Sequence, residues 1–414
     1  MEAGKQQLDD LKKQWQEELK EELYSLPELT DEAVKEQIEK LVAKRGREAF
    51  LNLEERRQLG REIFNSIRRL DILQELLEDE EVTEIMVNGP ESIFIEKHGR
   101  IEQWNKRFES ENKLLDVVQQ MAAAVNRRVN EANPIMDARL LDGSRVNVVL
   151  SPVALQGTAV TIRKFSREPF TMKALQELGA ISSEGAVFLK ELTWAGYNIF
   201  VSGGTGSGKT TFLNALAEGI PGEERVITIE DSAELNLKIK NLVALEARPA
   251  NIEGKNEIRI RDLIKSALRM RPSRIIVGEV RDDAAVDMLQ AMNTGHDGSL
   301  STGHANSPED MLHRLETLVL MGMDIPLPAV RQQIASALEI IVHLGRLRDG
   351  SRRVLEITEV AGLSGEAYQM NPLFVFEEEG MDEEGKIKGS LKRTENPFLQ
   401  REKLCRVRGE SDGL

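Results

Sequence analysis

The stretch that decides the fold is NIFVSGGTGSGKTT, residues 198–211. Its apolar run NIFV is a strand candidate, and TTFLNALAEGI, directly after the glycines, is a helix candidate. Between them, Gly203 to Thr210 fit the pattern GxxxxGK[ST] of a phosphate-binding loop. Such a loop curls its backbone amides around a β-phosphate, while Lys209 reaches the β- and γ-phosphates and the Thr210 hydroxyl binds Mg²⁺. A coincidental glycine-rich turn is the alternative, which the flanking strand and helix disfavour.

The phosphate-binding loop predicts ATP and Mg²⁺ as ligands. A second strand candidate ends close to an acidic residue that could act on Mg²⁺ or on a water molecule. An apolar run, RIIV at residues 274–277, is followed by Gly278 and Glu279. An acid at the carboxyl end of a neighbouring parallel strand holds Mg²⁺, partly through water, or orients a water molecule. A surface glutamate after a core strand is the alternative. The predicted nucleotide-binding residues are Gly203, Gly204, Thr205, Gly206, Ser207, Gly208, Lys209, Thr210 and Thr211, with Thr210 and Glu279 for Mg²⁺.

A cluster of acids follows a third strand candidate, RVITIE at residues 225–230. Glu230, Asp231 and Glu234 would lie beside Mg²⁺-ATP, where carboxylates serve as the base for water and as outer ligands of the metal. By itself such a cluster more often begins a helix, with Asp231 as its cap. The two interpretations are compatible.

Composition narrows the class of protein. The 414 residues, 40% of them hydrophobic, are enough for two or three domains with a substantial core. A net charge of −15 makes direct binding of nucleic acid a poor expectation. The single cysteine, Cys405, excludes an intrachain disulfide or a CxxC zinc pair. Neither a signal-peptide core nor a run of about 18 apolar residues is present, so we expect a cytoplasmic protein whose membrane association is peripheral.

Periodicity predicts the domain organisation. Leucines at helical spacing predict a helical N-terminal region over 1–76, a small bundle that leaves open whether it also docks a partner. Short β-branched runs and one helix-like segment predict an α+β domain over 77–165, followed by a linker over 166–182. Strands alternate with helices over 183–363, which predicts an α/β domain with a parallel sheet. The charged stretch 364–414 is expected to be a small appendage or tail.

Four motifs occur in the order GGTGSGKT, TIEDSAEL, ALRMRPSRIIVGEVRD and AMNTGHDGSLSTGHANSP. Together they resemble the type II/type IV secretion ATPase superfamily. Within it, EVTEIMVNGP, DARLLDGSRVNVVLSP, TAVTIRKF and LRDGSRRVLEITEV look like the CpaF branch, the ATPases of Flp/Tad-type pilus assembly. The resemblance covers about residues 70–363 and is specific, because several motifs agree in order and spacing.

The resemblance implies an architecture and partners. It implies a homohexameric ring with a PAS-like N-terminal domain and a RecA-like P-loop motor. The ring would lie at the inner face of the cytoplasmic membrane. Its partner there would be a polytopic platform protein, and it would act on pilin subunits indirectly. No direct contact with nucleic acid is expected.

The resemblance also implies roles for particular residues. Lys209 and Thr210 match the Walker A site and Glu279 the Walker B acid, with Glu230 or Glu279 as the water-activating base. The further implied catalytic residues are Glu230, Asp231 and Glu234 of the Asp box, His296 and His304 of the His box, and Arg145 and Arg163, which match arginine fingers. Arg281, directly after the acid strand, is a further cation candidate for the transition state.

Three features depart from relatives. Lys265 stands where relatives often have arginine, which weakens a role that needs a guanidinium. Gly303 replaces a bulky apolar residue before the second histidine, so we expect a looser strand there. The tetracysteine zinc motif of extension ATPases in type II secretion and type IVa pili is absent, which favours the CpaF-like branch.

The chain has five histidines, and two of them belong to repeated Thr-Gly-His tripeptides at 294–296 and 302–304. A metal site of His296, Asp297 and His304 lacks an evident third nitrogen or sulfur ligand. If GSLSTGHA is the next strand of the sheet, its carboxyl end places His304 at the rim with Glu279, and His296 lies at the other end. We therefore predict unequal roles: His304 senses the γ-phosphate region, and His296 couples that state to its surroundings.

Two other functions remain open. The first is an ATPase that drives type IV secretion or DNA transfer. The second is a nucleotide-binding regulatory scaffold with negligible turnover, against which Glu279, Glu230 and both histidines argue.

Overall fold

The computed structural model describes residues 2–24, 28–97, 99–165, 170–248, 250 and 255–409. The chain divides into two compact units, Met1–Ser166 and Arg167–Leu414. The division falls at the start of the linker expected over 166–182. Residues 166–169 of that linker lie outside the described part of the chain, and a short helix, α6 (Met172–Glu177), occupies much of the remainder.

The N-terminal unit begins with helices. They are α1 (Glu2–Tyr24), α2 (Asp31–Glu48), α3 (Leu53–Arg68) and α4 (Leu73–Glu78). Helix α3 starts at a capping box, in which Asn52 and Glu55 satisfy each other's backbone amides. The helical spacing places Trp15, Leu19 and Ile63 in one buried cluster, as a bundle requires.

Six antiparallel strands and one helix complete this unit, within the stretch expected to be α+β. The strands are β1 (Val82–Asn88), β2 (Ile93–Lys97), β3 (Arg100–Gln103), β4 (Ile135–Arg139), β5 (Arg145–Val149) and β6 (Ala159–Arg163), in the sheet order β3-β2-β1-β6-β5-β4. Helix α5 (Glu111–Ala124) packs Leu114 and Val118 into the same core as Ile85 and Ile162.

The C-terminal unit is built on a nine-stranded sheet. Its strands are β7 (Ile199–Gly203), β8 (Arg225–Glu230), β9 (Asn241–Glu246), β10 (Arg274–Val277), β11 (Leu300–Gly303), β12 (Ile340–Arg346), β13 (Arg352–Ser364), β14 (Ala367–Met381) and β15 (Ile387–Arg393). The sheet order is β15-β14-β13-β12-β7-β11-β10-β8-β9. Strands β12 to β9 in this order are parallel, and β13, β14 and β15 extend the sheet antiparallel.

Helices cover both faces of this sheet. As a result, every residue of β7 and β10 is buried. They are α7 (Ser183–Ala195), α8 (Lys209–Leu216), α9 (Ile260–Ala267), α10 (Ala284–Asn293), α11 (Pro308–Gly322), α12 (Leu327–Ala337) and α13 (Glu402–Arg408). Phe212 of α8 belongs to one apolar cluster with Val201, and Leu289 and Leu315 belong to a second with Phe200. The alternation of strands and helices predicted this arrangement. Among the described residues, no helix is long and apolar enough to cross a membrane.

The structure corrects the expectation that 364–414 is an appendage. Strands β14 and β15 belong to the main sheet, and Phe374, Leu391, Phe398 and Leu404 are buried in its core. Acids and lysines occupy many of the exposed positions in this stretch, and they made it look like a charged tail although its apolar residues are buried. Residues 410–414 lie outside the described part of the chain.

Candidate functional site

Four side chains lie at one rim of the parallel sheet, and three of them, Lys209, His304 and Glu279, are in contact. Lys209 follows β7, His304 follows β11, Glu279 comes two residues after β10, and Glu230 ends β8. These four strands are consecutive neighbours in the sheet. The carboxyl ends of parallel strands lie at one edge, so residues far apart in sequence come together there.

The loop between β7 and α8 has the backbone that phosphate binding requires. Gly206 and Gly208 have φ angles of 71° and 91°, in the left-handed region that favours glycine. A Cβ on Gly203 would collide with the carbonyl oxygen of Leu344 on the neighbouring strand. Gly208 precedes α8, so the loop amides and the positive end of the helix dipole face one space. Ser207 closes the loop by donating to the Gly204 carbonyl at 2.9 Å, while Thr210 and Thr211 begin the helix.

Lys209 is folded back onto its own loop. Its side chain is only 7% exposed. Its Nζ donates to the carbonyl oxygens of Gly203 and Gly204, at 3.2 and 3.0 Å, and lies 3.2 Å from Nδ1 of His304. These contacts hold the ammonium group at the phosphate side of the loop.

His304 lies between Lys209 and Glu279. Because an ammonium group can only donate, Nδ1 of His304 accepts from Lys209 and the ring proton resides on Nε2. That Nε2 is 3.0 Å from Oε1 of Glu279. Burial, together with the charge of Lys209, lowers the pKa of His304 and favours the neutral ring. The imidazole thus connects the phosphate side of the site with the acid opposite.

Glu279 is ionised and incompletely satisfied. Burial alone would raise its pKa, but the hydrogen bond from Nη2 of Arg281 to Oε2, at 2.8 Å, together with nearby positive charge, chiefly that of Arg281, lowers it. Its Oε1 is buried and accepts no hydrogen bond from any described residue, although Nε of Arg281 and Nε2 of His304 lie 2.8 and 3.0 Å away. Such an oxygen could accept a hydrogen bond from a water molecule or act as a ligand of Mg²⁺.

Glu230 has the opposite environment. It is 3% exposed, and burial raises its pKa to about 7 even though Oε2 accepts from the backbone amides of Glu234 and Leu235 at 2.8 and 3.0 Å. A Cβ on Gly278 would come within 2.8 Å of Cγ of Glu230. The glycine before Glu279 therefore makes room for the neighbouring acid, which explains its place in the motif.

The other acids of the cluster lie at its edge. Asp231 is an exposed residue whose Oδ2 lies 4.0 Å from Arg281. No helix begins at Asp231, so the cap interpretation is wrong there. Glu234 supplies a backbone amide to Glu230. The backbone turns at this point to enclose the Glu230 carboxylate.

The two histidines of the repeated tripeptide lie at opposite ends of β11. His304 is at the rim, whereas His296 precedes the strand and accepts from Oγ of Ser299 through its carbonyl oxygen at 2.8 Å. The Nδ1 atom of His296 is buried and has no hydrogen-bond partner among the described residues. Nor do the described residues contain a group of three His, Cys, Asp or Glu side chains that could hold a metal ion.

Arg145 and Arg163 lie in the N-terminal unit. They occupy directly opposite positions of the neighbouring strands β5 and β6. Nη2 of Arg145 is 4.0 Å from Asp137, and Glu84 stands opposite Arg163 on β1. The sheet therefore presents a pair of adjacent guanidinium groups.

The residues that depart from relatives have structural explanations. Lys265 on α9 lies 3.7 Å from Asp287, which also accepts from Arg261 at 2.9 Å. The expectation of a looser strand at Gly303 is wrong, because Met311 and Phe200 come within 3 Å of the place where its Cβ would stand. A bulky residue at this position has no room in this chain.

Sequence reasoning missed two residues beside the phosphate-binding loop. Buried His343 on β12 lies 2.9 Å, through Nδ1, from Oγ of Ser202, just before the loop. Arg352 on β13 donates from Nε to the Gly206 carbonyl at 2.8 Å. Arg352 lies in LRDGSRRVLEITEV, but the motif assigned it no role, and only the position of β12 beside β7 brings the two residues to the loop.

Comparison with known proteins adds the family. Residues 68–394 match the family model described as "Type II/IV secretion system protein". A putative conjugal transfer protein of Mycobacterium tuberculosis is 37% identical over 300 residues, which cover 71% of this chain and 85% of that protein. The type IV secretion system protein VirB11 of Bartonella henselae is 30% identical over 332 residues, which cover 70% and 92%.

A solved structure supports the fold alone. The X-ray structure of the Yersinia pseudotuberculosis ATPase DotB superposes with a TM-score of 0.51 at 18% identity, covering 72% of this chain and 79% of that one. The family match includes the phosphate-binding loop, both acid strands and the strand of His304. The chain therefore belongs to the type II/IV secretion system protein family, and it is an ATP hydrolase of that family.

Proposed function

We propose that the protein is a Mg²⁺-dependent, hexameric motor ATPase that powers a pilus or secretion machine at the inner face of the cytoplasmic membrane. The observation that carries the proposal is that the His304 ring contacts Lys209 through one nitrogen and Glu279 through the other. It places a phosphate-binding cation and an ionised acid on either side of one neutral imidazole. A scaffold that only binds nucleotide has no need of this arrangement.

The site fits Mg²⁺-ATP. The Thr210 hydroxyl and the buried, unsatisfied Oε1 of Glu279 are the protein oxygens that would hold the ion, directly or through water. When bound, Mg²⁺ would neutralise charge on the β- and γ-phosphates. The loop amides and Lys209 would bind those phosphates, which replace the carbonyl oxygens that now accept from Nζ.

Proton transfer falls to the acids. Glu279 is ionised and lies beside His304, while burial raises the pKa of Glu230 to about 7, which suits a general base at neutral pH. We propose that one of these two takes the proton of the attacking water, and that Arg281 holds Glu279 in place. His304 would report the γ-phosphate state through its contacts on both sides.

The mechanism is tested by turnover. Lys209→Ala and Glu279→Gln are each expected to lower the ATPase rate of the assembled protein at least about 100-fold, since each removes a group from the reacting centre. Lys173→Ala, on an exposed helix face, is the control and should retain the wild-type rate. Full activity of either site variant would contradict the mechanism. ATP binding without turnover in the wild type would instead support the scaffold alternative.

The machine we propose first is a Flp/Tad-type (type IVb) pilus. The motifs that resemble the CpaF branch, including LRDGSRRVLEITEV, support it. In this proposal the N-terminal unit holds the PAS-like domain and supplies Arg145 and Arg163 as arginine fingers, and the C-terminal unit is the RecA-like motor. A polytopic membrane platform protein would be its partner, and pilins would be moved indirectly.

A type IV secretion or DNA-transfer machine is the second candidate, because the relatives from Mycobacterium and Bartonella carry conjugal transfer and type IV secretion names. Genomic neighbours separate the two: prepilin and platform genes indicate a pilus, and relaxase genes indicate conjugation. Light scattering with ATP present tests the hexamer, which a strictly monomeric protein at micromolar concentration would contradict.

A further inference from the structure

An arginine to which no motif assigns a role, Arg352 of the stretch LRDGSRRVLEITEV, reaches the phosphate-binding loop. Arg352 begins β13, and its Nε donates to the carbonyl oxygen of Gly206 at 2.8 Å. Its Cδ lies 3.4 Å from the place that a Cβ on Gly208 would occupy. The side chain therefore runs along the loop, from its tip at Gly206 to the residue that precedes α8.

The position concentrates positive charge. The N-terminus of α8 carries the positive end of the helix dipole, and Lys209 adds an ammonium group beside it. Arg352 brings a second cation to the same loop. Like charges gathered around a set of backbone amides are stabilised when an anion binds, and the phosphates of a nucleotide are that anion here.

The turn that carries Arg352 is fixed from its other side. Asp349 accepts from the backbone amides of Ser351 at 2.9 Å and of Ile387 at 2.8 Å. Arg353 donates from Nη2 to the carbonyl oxygen of Ile387 at 3.0 Å and lies over the ring of Phe376. Strands β14 and β15 thus hold the turn, so Arg352 extends from an ordered support.

We propose that Arg352 is a nucleotide-binding residue, which holds the tip of the loop through Gly206 and adds its charge to the bound phosphates. The proposal rests on ATP binding at this loop. It also gives the C-terminal strands β14 and β15 a part in nucleotide affinity, through the turn that they support.

Equilibrium binding of ATP to the full-length chain tests this role. Arg352→Gln is expected to raise the Kd about tenfold while kcat at saturating ATP stays within about twofold, because binding rather than chemistry loses an interaction. Arg352→Lys keeps the charge and should recover at least half of the lost affinity on a logarithmic scale. Arg348→Gln is the matched control, since Arg348 lies in the same turn but pairs with Glu378; its Kd should stay within about twofold of wild type.

Three results would overturn the proposal: an Arg352→Gln Kd within twofold of wild type, an equal loss of affinity in Arg348→Gln, or no recovery in Arg352→Lys. Thermal unfolding of each variant separates binding from folding. If Arg352→Gln does not fold, the folded Arg352→Lys decides between the outcomes by its own Kd, which the proposal places above the wild-type value but no more than about threefold above it. A wild-type chain that binds no ATP would overturn the whole nucleotide site, Arg352 included.

Discussion

At the scale of single residues, two glutamates of similar sequence context have opposite electrostatics. Glu279 keeps its charge because Arg281 donates to it, whereas burial raises the pKa of Glu230 to about 7. Both follow apolar strands, so their sequence context alone predicted similar roles. The difference comes from the arginine that contacts one acid and the enclosing backbone around the other.

The raised pKa of Glu230 makes a prediction about stability and pH. Between about 4.5, its ordinary pKa, and about 7, the folded chain binds a proton that the unfolded chain has released. Stability from this group is therefore complete below 4.5 and falls as pH rises through 7. Relative to wild type, Glu230→Gln should be more stable at pH 8 than at pH 5, by up to about 3 kcal/mol.

Urea unfolding of both proteins at the two pH values measures the effect. The exposed Glu177→Gln serves as the control and should differ little from wild type at either pH. A Glu230→Gln difference that does not change with pH would show that Glu230 does not carry the raised pKa.

At the scale of elements, one short strand places two histidines at different ends of the sheet. Strand β11 is four residues long and fully buried, and Gly303 allows Met311 and Phe200 to close over it. The strand therefore holds His304 at the rim, in contact with Lys209 and Glu279. His296 lies before its first residue, at the opposite edge.

This separation predicts unequal effects of two matched substitutions. His304→Ala should lower kcat by about 10- to 100-fold, because it removes the group that contacts both the phosphate-binding lysine and the acid. His296→Ala should affect kcat less and leave the KM for ATP unchanged. Steady-state kinetics of the assembled protein gives both values, and identical defects would refute the asymmetry.

At the scale of the whole molecule, the C-terminal stretch is a structural part of the motor unit. Beyond its strands, buried Glu359 accepts from the backbone amides of Leu399 and Gln400, and Tyr197 donates to the carbonyl oxygen of Gln400 at 2.5 Å. These bonds attach the last described segment to strand β13 and to the segment before β7. Strands β14 and β15 also support the turn that carries Arg352.

A chain that ends at Leu363 is therefore expected not to fold its C-terminal unit. It loses six buried apolar side chains, and at about 1.5–3 kcal/mol each the loss is comparable to the whole stability of a domain. They are Leu373, Phe374, Ile387, Leu391, Phe398 and Leu404. Soluble yield and circular dichroism measure the result, with a chain ending at Gly409 as the control. A soluble, active chain ending at Leu363 would contradict the prediction.

The sequence by itself determined the phosphate-binding loop, the parallel sheet around it and the acids at the strand ends. These depend on local order: a glycine-rich loop between an apolar run and a helix, and acids directly after apolar runs, behave alike in any such sheet. The placement of His304 at the rim and of His296 away from it followed from the same rule.

Only the tertiary structure decided which distant residues complete the site. Arg352 and His343 reach the loop because β12 pairs with β7, a contact between segments about 140 residues apart in sequence. Burial of Glu230 and the contact of Glu279 with His304 depend on packing between neighbouring strands, which no local pattern encodes. The place of the C-terminal strands in the sheet is likewise a tertiary feature. Their apolar residues are buried only because β14 pairs with β13.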